Sequence, residues 1–225
     1  MNIAIIPARA GSKRLKNKNL KTLNGKPLIY YAINTAIKSK LFDDVVISTD
    51  SPKILNKAKK FGANNNGLRS KKLSDNQTLL LDVVKYEIQK HEKSKSIKNV
   101  CCILPTNVYN NKKLLTLGLK RLSNNKKGYI FCATKTPTSV FRCFTKKKNQ
   151  ETKMIFPSMF NKGSHLLQDT FYDFGNFYWA KKNTWLNKKI IFSKNSRFIE
   201  IKNKYYSDIN TLEDFKTAKD ILNKR

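Results

Sequence analysis

Histidine occurs only twice in this chain of 225 residues, as His91 and His165, and cysteine four times. Cys101, Cys102, Cys132 and Cys143 show no paired ligand spacing, so the sequence encodes no zinc-finger-like site. Three of them, Cys101, Cys102 and Cys132, sit inside apolar runs, which predicts reduced, buried thiols. No apolar stretch approaches the roughly 18 residues of a membrane span, and no membrane partner is expected. Nor is there a charged leader or cleavage site before the first apolar run, from which we expect a cytoplasmic protein. Acidic residues are scarce: 15 Asp and Glu stand against 46 Lys and Arg, a formal net charge of +31. That excess suggests nucleic-acid binding. Yet arginine, whose planar fork grips phosphate and guanine, accounts for seven of those cations and lysine for 39. The lysines run the length of the chain together with 25 asparagines, a diffuse surplus of the kind AT-rich codons write. We expect no specific nucleic-acid partner, only non-specific attraction to polyanions. Two glycine signatures are missing as well. Gly11 has no glycine five positions before it, which excludes a Walker A loop, and no Gly-x-Gly-x-x-Gly opens the chain.

What is present begins at once. Ile3-Ala4-Ile5-Ile6 reads as a buried strand. Pro7 cannot donate to a ladder, and Gly11 is expected to let the backbone turn sharply. Around that turn stand Arg9, Lys13, Arg14, Lys16 and Lys18. Backbone N–H groups and fixed positive charge converging after a buried strand make an anion cradle, and the anion expected is a phosphate chain. Downstream, strands at Val45–Asp50, Val100–Leu104 and Gly128–Ala133 alternate with helices over Pro27–Ile37, Pro52–Lys60, Thr78–Lys90 and Asn111–Leu122. Ser51 and Pro52 cap the second helix; Ser74 or Asp75 is expected to cap the third, with His91 exposed at its lysine-rich end. Such alternation predicts an α/β fold, a three-layer sandwich on a mostly parallel sheet, with ligands beyond the carboxyl ends of the strands. The period breaks between about 134 and 173, where short aromatic segments suggest a small insertion of hairpins. Phe174–Trp179 and Tyr205–Asn210 return to strand character, and Thr211 opens a last helix with Glu213 and Asp214 as dipole-complementing residues. We read residues 1–225 as one domain, without repeats or an internal linker.

Pro7, Ala8, Arg9, Gly11, Ser12, Lys13, Lys18 and Asn19 stand in a pattern that resembles, with few gaps, the opening motif of the cytidylyltransferases that activate nine-carbon acidic sugars as CMP derivatives. The resemblance implies a Rossmann-like fold of the nucleotide-diphospho-sugar transferase type. It also implies a reaction in which a sugar hydroxyl attacks the α-phosphate of CTP and expels pyrophosphate. Residues Ala8, Arg9, Gly11, Ser12, Lys13, Lys18 and Asn19 would then hold the nucleotide, with Arg9, Lys13 and Lys18 as catalytic cations. A second match, Arg69 with Asp75 and Thr78, implies further nucleotide contacts. Pro105 and Thr106 match a strand end on the sugar side, where sialic-acid enzymes carry Gln in the place of Leu104. Gln168, Asp169, Asp173 and Tyr178 are similar to a signature of the pseudaminic acid branch, and Ser193-Lys194-Asn195-Ser196 with Glu200 is similar to another segment of it. Arg142 has two readings, a partner for the sugar carboxylate or a surface residue. The family's metal pair, an Asp-Ile-Asp, corresponds to Asp208 and Asn210 here, and the implied cofactor is Mg²⁺ or Mn²⁺. A homodimer built through the insertion is implied too. The favoured sugar is pseudaminic acid, the alternatives N-acetylneuraminic or legionaminic acid; a weakened nucleotide binder or a basic nucleic-acid binder of the same fold is the rival of a different class.

Overall fold

Every apolar run of the first half becomes a strand covered on both sides. In a computed structural model, which describes residues 1–12, 14–125, 127–202 and 208–223, ten strands and six α-helices follow in order. They are β1 (Asn2–Pro7), β2 (Thr22–Leu23), β3 (Lys26–Pro27), α1 (Leu28–Ser39), β4 (Asp44–Ser48), α2 (Pro52–Lys60), α3 (Leu80–Lys90), β5 (Asn99–Ile103) and α4 (Lys112–Ser123). Then come β6 (Ile130–Lys135), β7 (Phe144–Lys146), β8 (Thr152–Met154), β9 (Phe171–Lys181), α5 (Lys182–Leu186), β10 (Arg197–Glu200) and α6 (Leu212–Asn223). A six-stranded sheet has the order β10-β6-β9-β5-β1-β4. Only β9 runs against the rest, pairing antiparallel with both β5 and β6.

Period-2 alternation divides the side chains between two cores. Ala4, Ile6, Cys101 and Ile103 face α1, α2 and α4, where Ile29, Ile33, Ile54, Ala58 and Leu115 receive them. Ile3, Ile5, Val100 and Cys102 face the other way, onto Val84, Ile88 and Trp185 of α3 and α5. The three-layer, mostly parallel sandwich is therefore as expected. Cys101, Cys102 and Cys132 are free and buried, also as expected, and Cys143 is half-buried.

Local chemistry accounts for the helix starts. Ser51 Oγ accepts from Ile54 N at 3.3 Å with Pro52 in the first turn, and Asn111 caps α4 through Leu114 N. Thr211 Oγ1 accepts from Asp214 N, and Asp214 returns the bond to Thr211 N and Asn210 N, a reciprocal cap that fits the expected helix-capping role of Asp214.

Three expectations are corrected. The third helix starts at Leu80, because Asp75 closes a turn of its own onto the Gln77 and Thr78 amides. His91 is buried rather than exposed, 4 % accessible: its Nδ1 accepts from Lys93 N, which leaves Nε2–H to donate to Asp44. The irregular segment is shorter than 134–173, since β6 runs to Lys135 and β9 begins at Phe171, and it contains one hairpin, β7–β8. The short helix α5 and edge strand β10 were not anticipated as elements. Residues 205–207, half of the strand expected over Tyr205–Asn210, lie outside the described residues; Asp208 makes an isolated bridge to Asn107. No helix among the described residues is long and apolar enough to cross a membrane.

Candidate active site

The strand order reverses around β1: the chain passes from β1 to β4 on one side, then returns to lay β5 on the other. At that switch point, beyond the carboxyl ends of β1 and β5, opens a cleft of about 480 Å³. Its first wall is the turn after β1. Ala8 N extends the ladder to Ser48 O, and Ala10 N donates to Asp50 Oδ1 at 2.8 Å, tying the loop to the end of β4. Asn19 is buried and its Nδ2 holds Arg9 O at 2.9 Å, drawing the two limbs of the loop together. Leu15 anchors the tip in a cluster with Leu23, Leu28 and Ile209. Arg9, Ser12, Arg14, Lys18 and Asn19 thus line the cleft. Lys13 lies outside the described residues. Ala8 packs behind the wall, in the core. Gly11 does not take up a left-handed conformation, contrary to a sharp turn that needs glycine; a Cβ there would meet nothing within 4 Å, so its contribution is open space beside the backbone.

Lys18 Nζ donates to Ile209 O at 2.7 Å and to Asn210 Oδ1 at 3.2 Å, and Arg14 Nη2 reaches the same oxygen at 2.8 Å. Burial holds the Lys18 ammonium below the ordinary lysine range; Asp208 opposes that, while Arg14 and Arg9 add to it. Arg14 and Lys18 share one neutral amide oxygen, and among the described residues neither is in an ion pair.

The second wall carries Arg69, Asp75 and Thr78. Arg69 is only 5 % accessible, its Nε on Ser74 Oγ at 3.0 Å and its Nη1 on Ser48 Oγ at 3.3 Å. Burial lowers its pKa, while Asp50 first and then Glu87 favour its charge. Arg9 Nη1 crosses to Asp75 O at 2.7 Å, joining the two walls. The Thr78 hydroxyl and amide, both donating to Asp75, hold that carboxyl below its usual range. Leu104, Pro105 and Thr106, directly after β5, complete the lining.

Asp208 and Asn210 are brought to this end by Ile209, whose N–H bonds Thr106 O at 2.9 Å. Asn210 Nδ2 donates to Asp208 Oδ2 at 2.7 Å. Its oxygen, the atom a metal would need, faces Arg14 and Lys18 instead. Among the described residues no cluster of three or more His, Cys, Asp or Glu is placed to hold a metal. A single carboxylate such as Asp208 still fits Mg²⁺, which keeps waters and takes phosphate oxygens as ligands.

Next to Asp208, β9 bulges: Ala133 pairs with Asp173, yet Phe131 pairs with Tyr178. Gly175 within the bulge has φ +65°, and its absent Cβ would lie 3.7 Å from Asp208 Cγ. Asp173 accepts from Gly175 N and from the Tyr178 hydroxyl; burial raises its pKa despite those bonds, and Asp208 adds to the rise. Asp173 faces a neighbouring aromatic pocket with Phe131, Phe171 and Phe198 rather than the main cleft. Three other candidates are not gathered there. Arg142 binds the carbonyls of Phe160 and Lys162 inside the insertion, Asp169 pairs with Lys135 at 2.6 Å on the surface, and Gln168 is exposed. Ser48, Asp50 and Glu87 went unread in the sequence; a lone Glu at an inward helix position was the available signal for one of them.

Residues 3–154 match the model of a family described as cytidylyltransferase. Over 219 residues, 97 % of this chain and 94 % of the relative, the sequence is 33 % identical to a pseudaminic acid cytidylyltransferase of Campylobacter jejuni. The chain belongs to the cytidylyltransferase family. It is also 25 % identical over 223 residues to an N-acylneuraminate cytidylyltransferase of Escherichia coli, covering 99 % of this chain and 52 % of that one. In fold, this cytidylyltransferase is similar to a CMP:2-keto-3-deoxy-manno-octonic acid synthetase solved with CTP, at a TM-score of 0.74 and 14 % identity, over 99 % of this chain and 98 % of the other.

Proposed function

We propose that this cytidylyltransferase joins CMP from CTP to a nine-carbon acidic sugar, pseudaminic acid before N-acetylneuraminic or legionaminic acid. The observation that carries the proposal is the convergence of Arg9, Arg14, Lys18 and Arg69 on one cleft, in a family whose relatives of nearly equal length act on that sugar class. A sugar hydroxyl forms a new bond to the α-phosphorus, the bond to the bridging oxygen breaks, and pyrophosphate leaves. Attacking group and leaving group are both held by charge, so positioning and neutralisation supply most of the rate. Arg9 and Lys18 take the phosphate oxygens, with Ser12 and the open backbone at Gly11 beside them; Arg69 holds the nucleotide from the opposite wall. Leu104 in place of an amide favours a sugar with fewer polar groups at that point. Asp208 is the residue proposed to hold Mg²⁺ or Mn²⁺, and Asn210 joins it when phosphates draw Arg14 and Lys18 away. The metal, when bound, neutralises charge on the phosphates. Arg142, Gln168 and Asp169 reach a sugar only across an interface, so a homodimer is part of the proposal; Phe144, Phe160 and Leu166, exposed on the insertion, favour it. We place the enzyme in the cytoplasm, where CTP is made.

Pyrophosphate release from the purified protein with CTP and Mg²⁺, run in parallel with the three sugars, tests the reading. Release with pseudaminic acid well above the other two is expected. Release with none, together with absent CTP binding, overturns it; sedimentation of a monomer at the assay concentration would remove the dimer from it.

A further inference from the structure

Glu87 is 1 % accessible, on the inward face of α3, and among the described residues no Lys or Arg nitrogen lies within ion-pair distance of it. A carboxylate so placed is costly to bury unless its oxygens are met and its charge answered nearby. Both oxygens are met. Ser48 Oγ donates to Oε1 at 2.6 Å and Asn66 Nδ2 to Oε2 at 2.9 Å. A carboxylate only accepts, so the Ser48 proton must point at Glu87. The hydroxyl lone pairs then face the opposite way, where Arg69 Nη1 donates to them at 3.3 Å. The charge is answered there too, since Glu87 is one of the two acids whose field favours charged Arg69. With Nε on Ser74 and Nη1 on Ser48, two of the three guanidinium nitrogens are fixed, and Nη2 has no partner among the described residues.

We propose that Glu87 is a positioning residue for nucleotide binding: acting through Ser48 Oγ, it orients the Arg69 guanidinium in the cleft wall and leaves its Nη2 edge for an acceptor oxygen of CTP. The inference rests on the reading of the cleft as the CTP site. Glu87 touches no ligand itself. It sits behind the wall, where it sets the direction of one hydroxyl proton, and that proton sets one arginine.

Glu87→Gln keeps the shape but presents an amide that satisfies Ser48 with either end, so the hydroxyl loses its imposed direction. CTP affinity, measured by calorimetry on the whole protein without sugar, should weaken on the order of tenfold, the scale of a hydrogen bond to a charged group. A purely structural role would lower the melting temperature and the bound fraction while leaving the Kd of the folded fraction unchanged. In an Arg69→Ala background the same substitution should add nothing, because its only route to the ligand is gone. Ser48→Ala removes the bridge itself and should weaken CTP in the same direction, and Ser48→Thr, which keeps the hydroxyl and should restore affinity, carries the test if Glu87→Gln does not fold. Parent-like affinity in Glu87→Gln or Ser48→Ala, or independent effects of Glu87→Gln and Arg69→Ala, overturns the role of Glu87. A parent protein that binds no CTP overturns the site reading and this inference with it.

Discussion

The cleft between β1 and β5 and the insertion between β6 and β9 place their apolar residues in opposite ways. Around the cleft, Ile3, Ile5, Ile6, Val100 and Ile103 are fully covered and the polar residues stand at the strand ends, charged and bonded to one another. In the insertion, Phe144, Phe160 and Leu166 are each at least 60 % accessible, and Arg142 is bonded to two carbonyls of its own segment. One region is stabilised by the chain itself and gathers its charges around one cleft. The other has a backbone held by one short hairpin and apolar side chains with no cover from the rest of the chain. Positioning of phosphates requires the first kind of rigidity. A surface that meets another macromolecule can leave its burial until association.

The largest expected effect strikes the charged side of that contrast. Lys18→Met keeps the aliphatic stem that packs in the wall and removes the ammonium. Loss of one preorganised donor at developing charge costs roughly 10²–10³ in kcat, and we expect that loss with a melting temperature close to the parent's. Turnover within threefold of the parent would show that Lys18 serves the loop rather than the reaction.

Next comes the packed side. Gly118 of α4 lies against the sheet so closely that an added Cβ would stand 2.7 Å from Trp179 Cδ1 and 3.0 Å from Phe177 Cε2. Gly118→Ala therefore forces the helix or the indole to move, destabilising the fold by about 1–3 kcal/mol, read as a drop in the urea midpoint. A change as large as Phe160→Ser in the insertion should leave that midpoint in place. Equal effects at both positions would erase the distinction between a self-packed region and one whose apolar side chains lie exposed.

How far the sequence disclosed each region depends on the same physics. Strands buried on both faces are continuous apolar runs, so Ile3–Ile6, Val45–Ile47 and Val100–Ile103 were legible without any structure. The Ser51-Pro52 helix start was legible because capping is local chemistry. Asp75 misled, because an Asx turn and a helix cap use the same residue types and differ only in whether the next residues continue as helix. His91 misled because its cover comes from Asp44, distant in sequence, and β10 was missed because an edge strand of four residues carries almost no period. In the cleft, the residues proposed to touch a ligand sit in a recognisable motif, whereas Glu87 and Ser48 come together only in space. Gln168 and Asp169 were assigned to the sugar by resemblance and Arg142, with a surface role left open, by the match of its fork to a carboxylate; in a single chain all three stay outside the cleft.

A smaller effect is expected at Asn210, where the cleft departs from the doubly acidic pattern of its family. Asn210→Asp would put a second carboxylate beside Asp208 and opposite Arg14 and Lys18, which now share the Asn210 oxygen. The two cations offset the repulsion between the acids, and the Mg²⁺ concentration at half-maximal rate should fall several-fold. An unchanged metal requirement would assign Asn210 to the cation clamp alone.

The smallest effect belongs to the insertion. The β7–β8 hairpin turns through Asn149 and Gln150, with φ +61° and +64°. Lys147 N donates to Glu151 O across the turn, so Lys148, Asn149 and Gln150 form its loop and two of the three are left-handed, a conformation that favours Gly, Asn or Asp. Asn149 accepts the conformation readily; Gln150, with a Cβ and a long side chain, does not. Gln150→Gly relieves that strain but enlarges the freedom of the unfolded chain, and the two terms oppose each other. The strain term is the larger, so we expect a net gain of about 0.5–1 kcal/mol in the stability of the hairpin. Because the hairpin is held to the body by few contacts, the gain should appear as slower amide exchange at Thr145, Lys147 and Lys153 with no change in the global melting temperature. A rise in the global value instead would mean that the insertion folds and unfolds with the sheet, and the contrast between the two regions would then be one of burial without being one of stability.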